Sequence, residues 1–222
     1  MGRIMIDGVE AIWEEGENYI QINDISENDL SRVWKTLVRE YPGYELTFCF
    51  RDVLVPADAL AAIGAEVLED CIAMKVTQQE YKPHNNPNIT LLDREDFAEF
   101  AELHNAIYPE DSDMYWTSRR LWDRWDIWRI HVLRECSEIV GYSMMMLSPS
   151  DESLSEIFAV EASNSDHRKA LFSAAAGYSF DIKRSVVLHM ADRDNPLEHE
   201  ATLAVGFVET GFYIGYIVRC IK

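Results

Sequence analysis

Arg168 and Lys169, with His167 beside them, stand where a helical stretch follows an apolar strand-like run over residues 154–160. Backbone N–H groups at a helix start attract anions, and guanidinium and ammonium groups strengthen that attraction. The window Ser165-Asp166-His167-Arg168-Lys169-Ala170 is therefore a candidate phosphate contact. A second helix start lies at Asn195, with Pro196 inside its first turn and Gly206 after its end, the favoured placement of both residues. Upstream, Glu110, Asp111 and Asp113 make an acidic loop next to Tyr115 and Trp116. Carboxylates beside aromatic faces suit a cation, so this loop is a candidate binding place for an amine. Trp122 and Trp125 recur at helical spacing and read as core.

Other chemistries find less support. The six histidines show no ligand spacing, so no metal is assigned. No two of the four cysteines (Cys49, Cys71, Cys136 and Cys220) form a C-x-x-C pair, and their apolar strand-like settings predict small buried hydrophobes. The formal net charge of −19 repels phosphodiester backbones, which argues against nucleic-acid binding, and attracts cationic substrates such as amines or basic peptides. No apolar run reaches the roughly 18 residues of a membrane span, and the first residues do not form a secretory signal. The expectation is a soluble cytoplasmic protein without a membrane partner; self-association into a homo-oligomer stays open.

The elements that hold these residues follow from periodicity and breakers. Residues 81–88 contain Pro83 and Pro87 among polar side chains and read as a linker. The segments on either side resemble each other. Residues 44–76 align without a gap on residues 186–218, with eight of 33 pairs identical, among them Arg51-Asp52 with Arg193-Asp194 and Gly64 with Gly206. Such self-similarity marks an internal repeat of strand, short helix, Gly, strand, strand. Before it, residues 18–23 alternate like a strand, and Ser26 caps a helix reaching Glu40. After the linker come a strand at 89–92, helices from Asp93 and Thr117, and strands at 129–133, 139–147 and 154–160. A helix over 166–183, a strand over 186–191 and the Asn195 helix follow, and residues 207–212 and 213–220 complete the sheet.

This order resembles the coenzyme-A-binding half of the GNAT superfamily of N-acetyltransferases. The resemblance implies an α/β fold with a mixed, mostly antiparallel central sheet flanked by helices. It divides the chain into a partial GNAT-like unit, residues 1–82, and a complete one, residues 83–222. It also implies acetyl-CoA as cofactor. In that family the pyrophosphate loop reads Arg/Gln-x-x-Gly-x-Gly/Ala. Here Ala170 fits, whereas Ser165 and Arg168 replace the Arg/Gln and the first glycine. The same comparison assigns backbone contacts with the pantetheine arm to Phe158, Ala159 and Val160, and the role of general base to Glu156. Glu161 is expected on the opposite face from Glu156 and Val160 by strand alternation, or past the strand end. Asn195, Gly206 and Phe207 fit the family's second motif, while Glu198 stands at its Ala position and Thr202 at its Tyr. That tyrosine commonly protonates the departing thiolate, a task threonine is too weak an acid to perform.

The resulting expectation is an acetyl-CoA-dependent N-acetyltransferase acting on an amine of a small molecule or peptide by direct attack. The competing expectation is a catalytically silent GNAT-like module that binds acyl-CoA or a protein.

Overall fold

Short polar side chains that hold backbone N–H groups set where four of the helices begin. Ser26 Oγ accepts from Asp29 N at 3.2 Å and starts α1 (Glu27–Glu40); Leu30, Val33 and Leu37 fall on its buried face. Thr117 starts α4 (Ser118–Asp123), Asn164 starts α5 (Ser165–Asp181) and Asn195 starts α6 (Pro196–Val205) in the same way. The computed structural model describes residues 2–219 except 15, 17, 110, 111 and 113. Among the described residues no helix is long and apolar enough to cross a membrane.

The chain divides into two compact units, residues 1–72 with 211–222, and residues 73–210. This division differs from one drawn at the linker, because the chain's end returns to the first unit. There β11 (Val208–Val218) runs antiparallel to β4 (Glu45–Arg51), with Tyr213 opposite Arg51 and Val218 opposite Leu46. The first unit orders its strands β1 (Gly2–Ile6), β2 (Val9–Glu14), β3 (Tyr19–Asn23), β4, β11 and the start of β5 (Glu66–Thr77). β3 and β4 are parallel, with α1 as their crossover, and Ile20, Ile22, Phe48 and Phe50 pack in one core with Leu30, Val33 and Leu37. The β1–β2 hairpin was not foreseen. Its signal is Asp7-Gly8, two residues with φ of 49° and 83°, as a two-residue hairpin turn requires.

The second unit orders its strands β5, β10 (Val186–Asp192), β9 (Leu154–Glu161), β8 (Glu138–Leu147), β7 (Trp128–Glu135) and β6 (Ile89–Leu91). β6 to β9 pair antiparallel; β9 and β10 are parallel and joined by α5. One sheet face packs Trp128, Ile130, Val132, Tyr142 and Met144 under α3 (Phe97–Ile107) and α4. The other face turns His131 toward α5, where its ring lies 5.5 Å from that of Tyr178.

Both repeat segments hold strand, helix, strand: β4, α2 (Ala57–Ala62) and β5 in one, β10, α6 and β11 in the other. Each ends its helix on a glycine of positive φ, Gly64 at 78° and Gly206 at 102°. In each, one long strand replaces the two expected after the glycine; β11 runs on through Gly211 and Gly215. Cys49 and Cys71 are buried, but Cys136 is exposed with positive φ in the β7–β8 turn, where strand burial does not reach; Cys220 lies outside the described residues.

Candidate functional site

β9 carries an irregularity that two registers reveal. Met144 lies opposite Ala159 and Met145 opposite Ile157, so Phe158 is an extra residue on β9, a β-bulge. On the other edge, β10 pairs with β9 only from Val186 opposite Leu154 to His189 opposite Ile157. Beyond Ile157 the two parallel strands part. The bulge also shifts the alternation of side chains. Glu156 lies opposite Met146, Ala159 opposite Met144 and Glu161 opposite Tyr142, which sets all three on the face covered by α3 and α4. Glu161 thus shares a face with Glu156, contrary to simple alternation, and Val160, opposite Ser143, is buried on the other face. Phe158 is partly exposed, with its ring 5.6 Å from Trp128 and 6.2 Å from Trp116.

The loop after β9 is closed by its own side chains. Asn164 Oδ1 accepts from His167 N at 2.9 Å, and Arg168 N donates to Asn164 O at 3.1 Å. Asp166 adds a negative charge to this first turn. The Arg168 side chain folds back along β9, where its Nη1 donates to Val160 O at 2.8 Å and its Nε to Ala162 O at 3.1 Å. Lys169 Nζ lies 3.1 Å from Glu200 and 3.8 Å from Asp166, and His167 Nε2 lies 3.4 Å from Glu135. Ser165 Oγ is buried without a hydrogen-bond partner among the described residues, and Ala170 is buried.

Across the gap, Asn195 Oδ1 accepts from Glu198 N at 3.2 Å and starts α6. The buried Glu198 carboxylate accepts from His189 Nε2 at 3.2 Å and from Asp192 N at 3.1 Å. Burial works against its charge. The His189 hydrogen bond and charge, the Asp192 N–H and the nearby Arg168 charge outweigh that and hold the carboxyl below its ordinary range. Thr202 is fully buried, donating to His199 O at 2.8 Å and touching Met74 Sδ at 3.1 Å.

The α3–α4 face adds residues that the sequence reading did not single out. Tyr108, the C-cap of α3, donates its hydroxyl to Glu161 Oε1 at 2.5 Å. Burial first, then that carboxylate, push the Tyr108 hydroxyl far up, so it stays protonated. His104 is wholly buried, and Trp116 O accepts from its Nε2 at 2.9 Å. Burial holds this imidazole below its ordinary value, so it is neutral and its Nδ1 accepts from Tyr142 OH at 2.8 Å. The chain Trp116–His104–Tyr142 ties the α3–α4 connection to β8 beside β9. Trp116 is thereby packed, its ring 4.9 Å from Trp128. Of the expected cation faces, Tyr115 already holds Arg120 at 4.0 Å; Trp122, expected as core, is 40% exposed and holds Arg94 at 4.3 Å. Glu110 and Asp111 lie outside the described residues. A cleft of about 160 Å³ opens beside Glu161, between Leu103 and Ile107 of α3 and the Gly141 end of β8.

No family model matches the chain, and no curated protein matches its sequence. Solved structures match closely in shape. A conserved protein of unknown function from Staphylococcus epidermidis superposes with a TM-score of 0.72 at 13% identity, over 99% of this chain and 94% of that one. A GCN5-related N-acetyltransferase from Kribbella flavida gives 0.65 at 10% identity, over 97% and 88%. The chain has the GNAT acetyltransferase fold. A tandem GNAT protein from the clavulanic acid biosynthesis pathway also matches, with a TM-score of 0.60 at 11% identity over 95% of this chain and 78% of its own.

The GNAT fold implies coenzyme A, and the residues answer that implication unevenly. β9 is bulged at Phe158 and is no longer paired with β10 after Ile157. The loop does not fit a pyrophosphate in this arrangement. The N–H groups of His167 and Arg168 are taken by Asn164, and a side chain stands where the GNAT loop has glycine.

Proposed function

We propose that this chain is an acyl-CoA-dependent N-acyltransferase that moves an acetyl group from acetyl-CoA to an amine of a small molecule or peptide. The parting of β9 from β10 at the Phe158 bulge carries this reading. Coenzyme A would supply the activated thioester. The backbone of Phe158, Ala159 and Val160 would hold its arm, while residues 165–170, with the N–H groups of His167 and Arg168 taken by Asn164, would offer the phosphate end side chains and not a backbone cradle. The chain's own chemistry lies on the α3–α4 face. Glu156, on that face, would take a proton from the acceptor's ammonium through water, freeing the neutral amine to attack. Glu161, held by Tyr108, would present a second carboxylate to a cation on the same face. The charge of −19 concentrates cationic acceptors around the molecule, and Glu110, Asp111, Tyr115 and Trp116 would border their entry. A cytoplasmic location and the repeat-based units, 1–82 and 83–222, go with this reading.

Release of free thiol from acetyl-CoA, followed over a panel of small amines, polyamines and basic peptides, tests it. A cationic acceptor should support turnover, and Glu156→Gln should lower the rate by about 10²–10⁴-fold while leaving cofactor affinity unchanged. Thiol release indifferent to Glu156→Gln would remove that residue from the mechanism; none with any amine would remove the reaction.

A second reading, a catalytically silent module that binds acyl-CoA or a protein, rests on Thr202. Its hydroxyl is buried and bonded within α6, so the tyrosine's task has no holder on that helix. Tight acyl-CoA binding without turnover would favour it.

A further inference from the structure

The cleft beside Glu161 sets a carboxylate against an apolar wall. Leu103 and Ile107, one turn apart on α3, and Val140 near the start of β8 form that wall. Gly141 and Ala162 add little bulk, and Ile107 is 39% exposed, so the cleft opens to solvent. One oxygen of the carboxylate is engaged, Oε1 by the Tyr108 hydroxyl. The other is not closed off. The Arg168 guanidinium spends Nη1 on Val160 O and Nε on Ala162 O, and its Nη2 stays 3.9 Å from Glu161 Oε2, beyond hydrogen-bond length. Among the described residues no hydrogen bond reaches that oxygen. A carboxylate accepts and does not donate, so a ligand here must bring an N–H or O–H head on an apolar body.

We propose that this cleft binds a small aliphatic amine, its ammonium on Glu161 and its alkyl chain along Leu103, Ile107 and Val140. That the bound amine is also the acyl acceptor rests on the acyltransferase reading above. Charge selects the ammonium over a hydroxyl, because a hydrogen bond between two charged groups is about twice as strong as a neutral one. The nearby Arg168 charge offsets part of that advantage, so binding depends on the alkyl chain as well as on the head. Size bounds the chain. At roughly 30 Å³ for each water-sized group, a cleft of about 160 Å³ holds about five non-hydrogen atoms, a butylamine. A second ammonium within that length would lose its water against Leu103, Ile107 and Val140 with no partner, which disfavours polyamines.

Amide chemical shifts of the full chain, followed while ethylamine, propylamine, butylamine, hexylamine and butan-1-ol are titrated in turn at neutral pH, test the site. The expected result is saturating shifts at Gly141, Glu161 and Ala162. Affinity should rise about threefold for each carbon added from ethyl to butyl and level off at hexyl, where the chain outgrows the cleft. Butan-1-ol on the wild type, and butylamine on Glu161→Gln, should each bind roughly tenfold more weakly than butylamine on the wild type. Thermal melts accompany the variants. Ile107→Ala, at a partly exposed position, keeps the test usable if Glu161→Gln folds poorly, and should flatten the chain-length series. Equal affinity for butylamine and butan-1-ol, no dependence on chain length, or saturating shifts only away from the cleft would overturn the site. Thiol release from acetyl-CoA with the same amines separates the two claims. Amines bound in the cleft without thiol release would leave the site standing and remove the acyl transfer; thiol release by amines that never perturb the cleft would overturn the site and leave the transfer standing.

Discussion

His131 sits in the wall between β7 and α5, buried, with Ser143 opposite it on β8 and the Tyr178 ring 5.5 Å away. Its Nδ1 has no hydrogen-bond partner among the described residues. Burial alone pushes its pKa down to about 4 from an ordinary 6.5. An imidazole depressed in this way is neutral in the folded chain and protonates more readily when the chain unfolds. The unfolded state then binds more protons below pH 6.5, so stability present above pH 6.5 is lost as the pH falls toward 4. At roughly 1.4 kcal/mol per pH unit, the span corresponds to about 3 kcal/mol, a large share of the 5–15 kcal/mol of a typical domain. His104, also depressed chiefly by burial, acts in the same direction. His131→Gln keeps a polar planar group and cannot titrate. Urea unfolding at pH 7.5, 6.0 and 4.5 should show the wild type losing stability more steeply than His131→Gln, by about 2–3 kcal/mol over that range. Parallel profiles for the two proteins would refute the assignment of a buried neutral imidazole.

Three further substitutions probe the frame of the site. Gly206→Ala places a methyl group on the Glu80 carbonyl at a residue whose φ is 102°, and should cost several kcal/mol or prevent folding, read as a fallen Tm. Gly141→Ala sets a methyl 2.7 Å from Glu161 O, in backbone that cannot move aside cheaply; a loss of about 1–3 kcal/mol in urea unfolding is expected. Thr202→Tyr, which would restore the family's residue, cannot restore its chemistry, because Thr202 is fully buried against Met74; the expected outcome is a lower Tm with no gain in thiol release.

Much of the fold could be read from residues that act locally. Ser26, Thr117 and Asn195 cap helices where their side chains announce it, and Gly64 and Gly206 end them. The likeness of the two strand–helix–strand segments was legible because their identities fall on structural punctuation, the Arg-Asp pairs and the glycines. The β1–β2 hairpin is marked in the sequence by the Asp7-Gly8 turn alone. The bulge left no sequence signal, and it alone decides that Glu161 faces the same way as Glu156. Tyr108 and His104 belong to the site through contacts with residues 53 and 38 positions away, which no local pattern reports. Arg168 and Lys169 were legible as basic residues at a helix start. Their engagement by Val160, Ala162 and Glu200 was not, because it depends on which way the chain folds their side chains.

The claim that β9 is the seat of an acyl-CoA arm is tested most directly by amide chemical shifts. With the backbone assigned, acetyl-CoA is titrated to high excess. The account predicts that the amides of Phe158, Ala159 and Val160 shift together along one saturating curve, with Arg168 and Asp192 following them while the β1–β2 hairpin stays unchanged. Saturating shifts confined to other elements, or no shift on β9 at any excess, would contradict it.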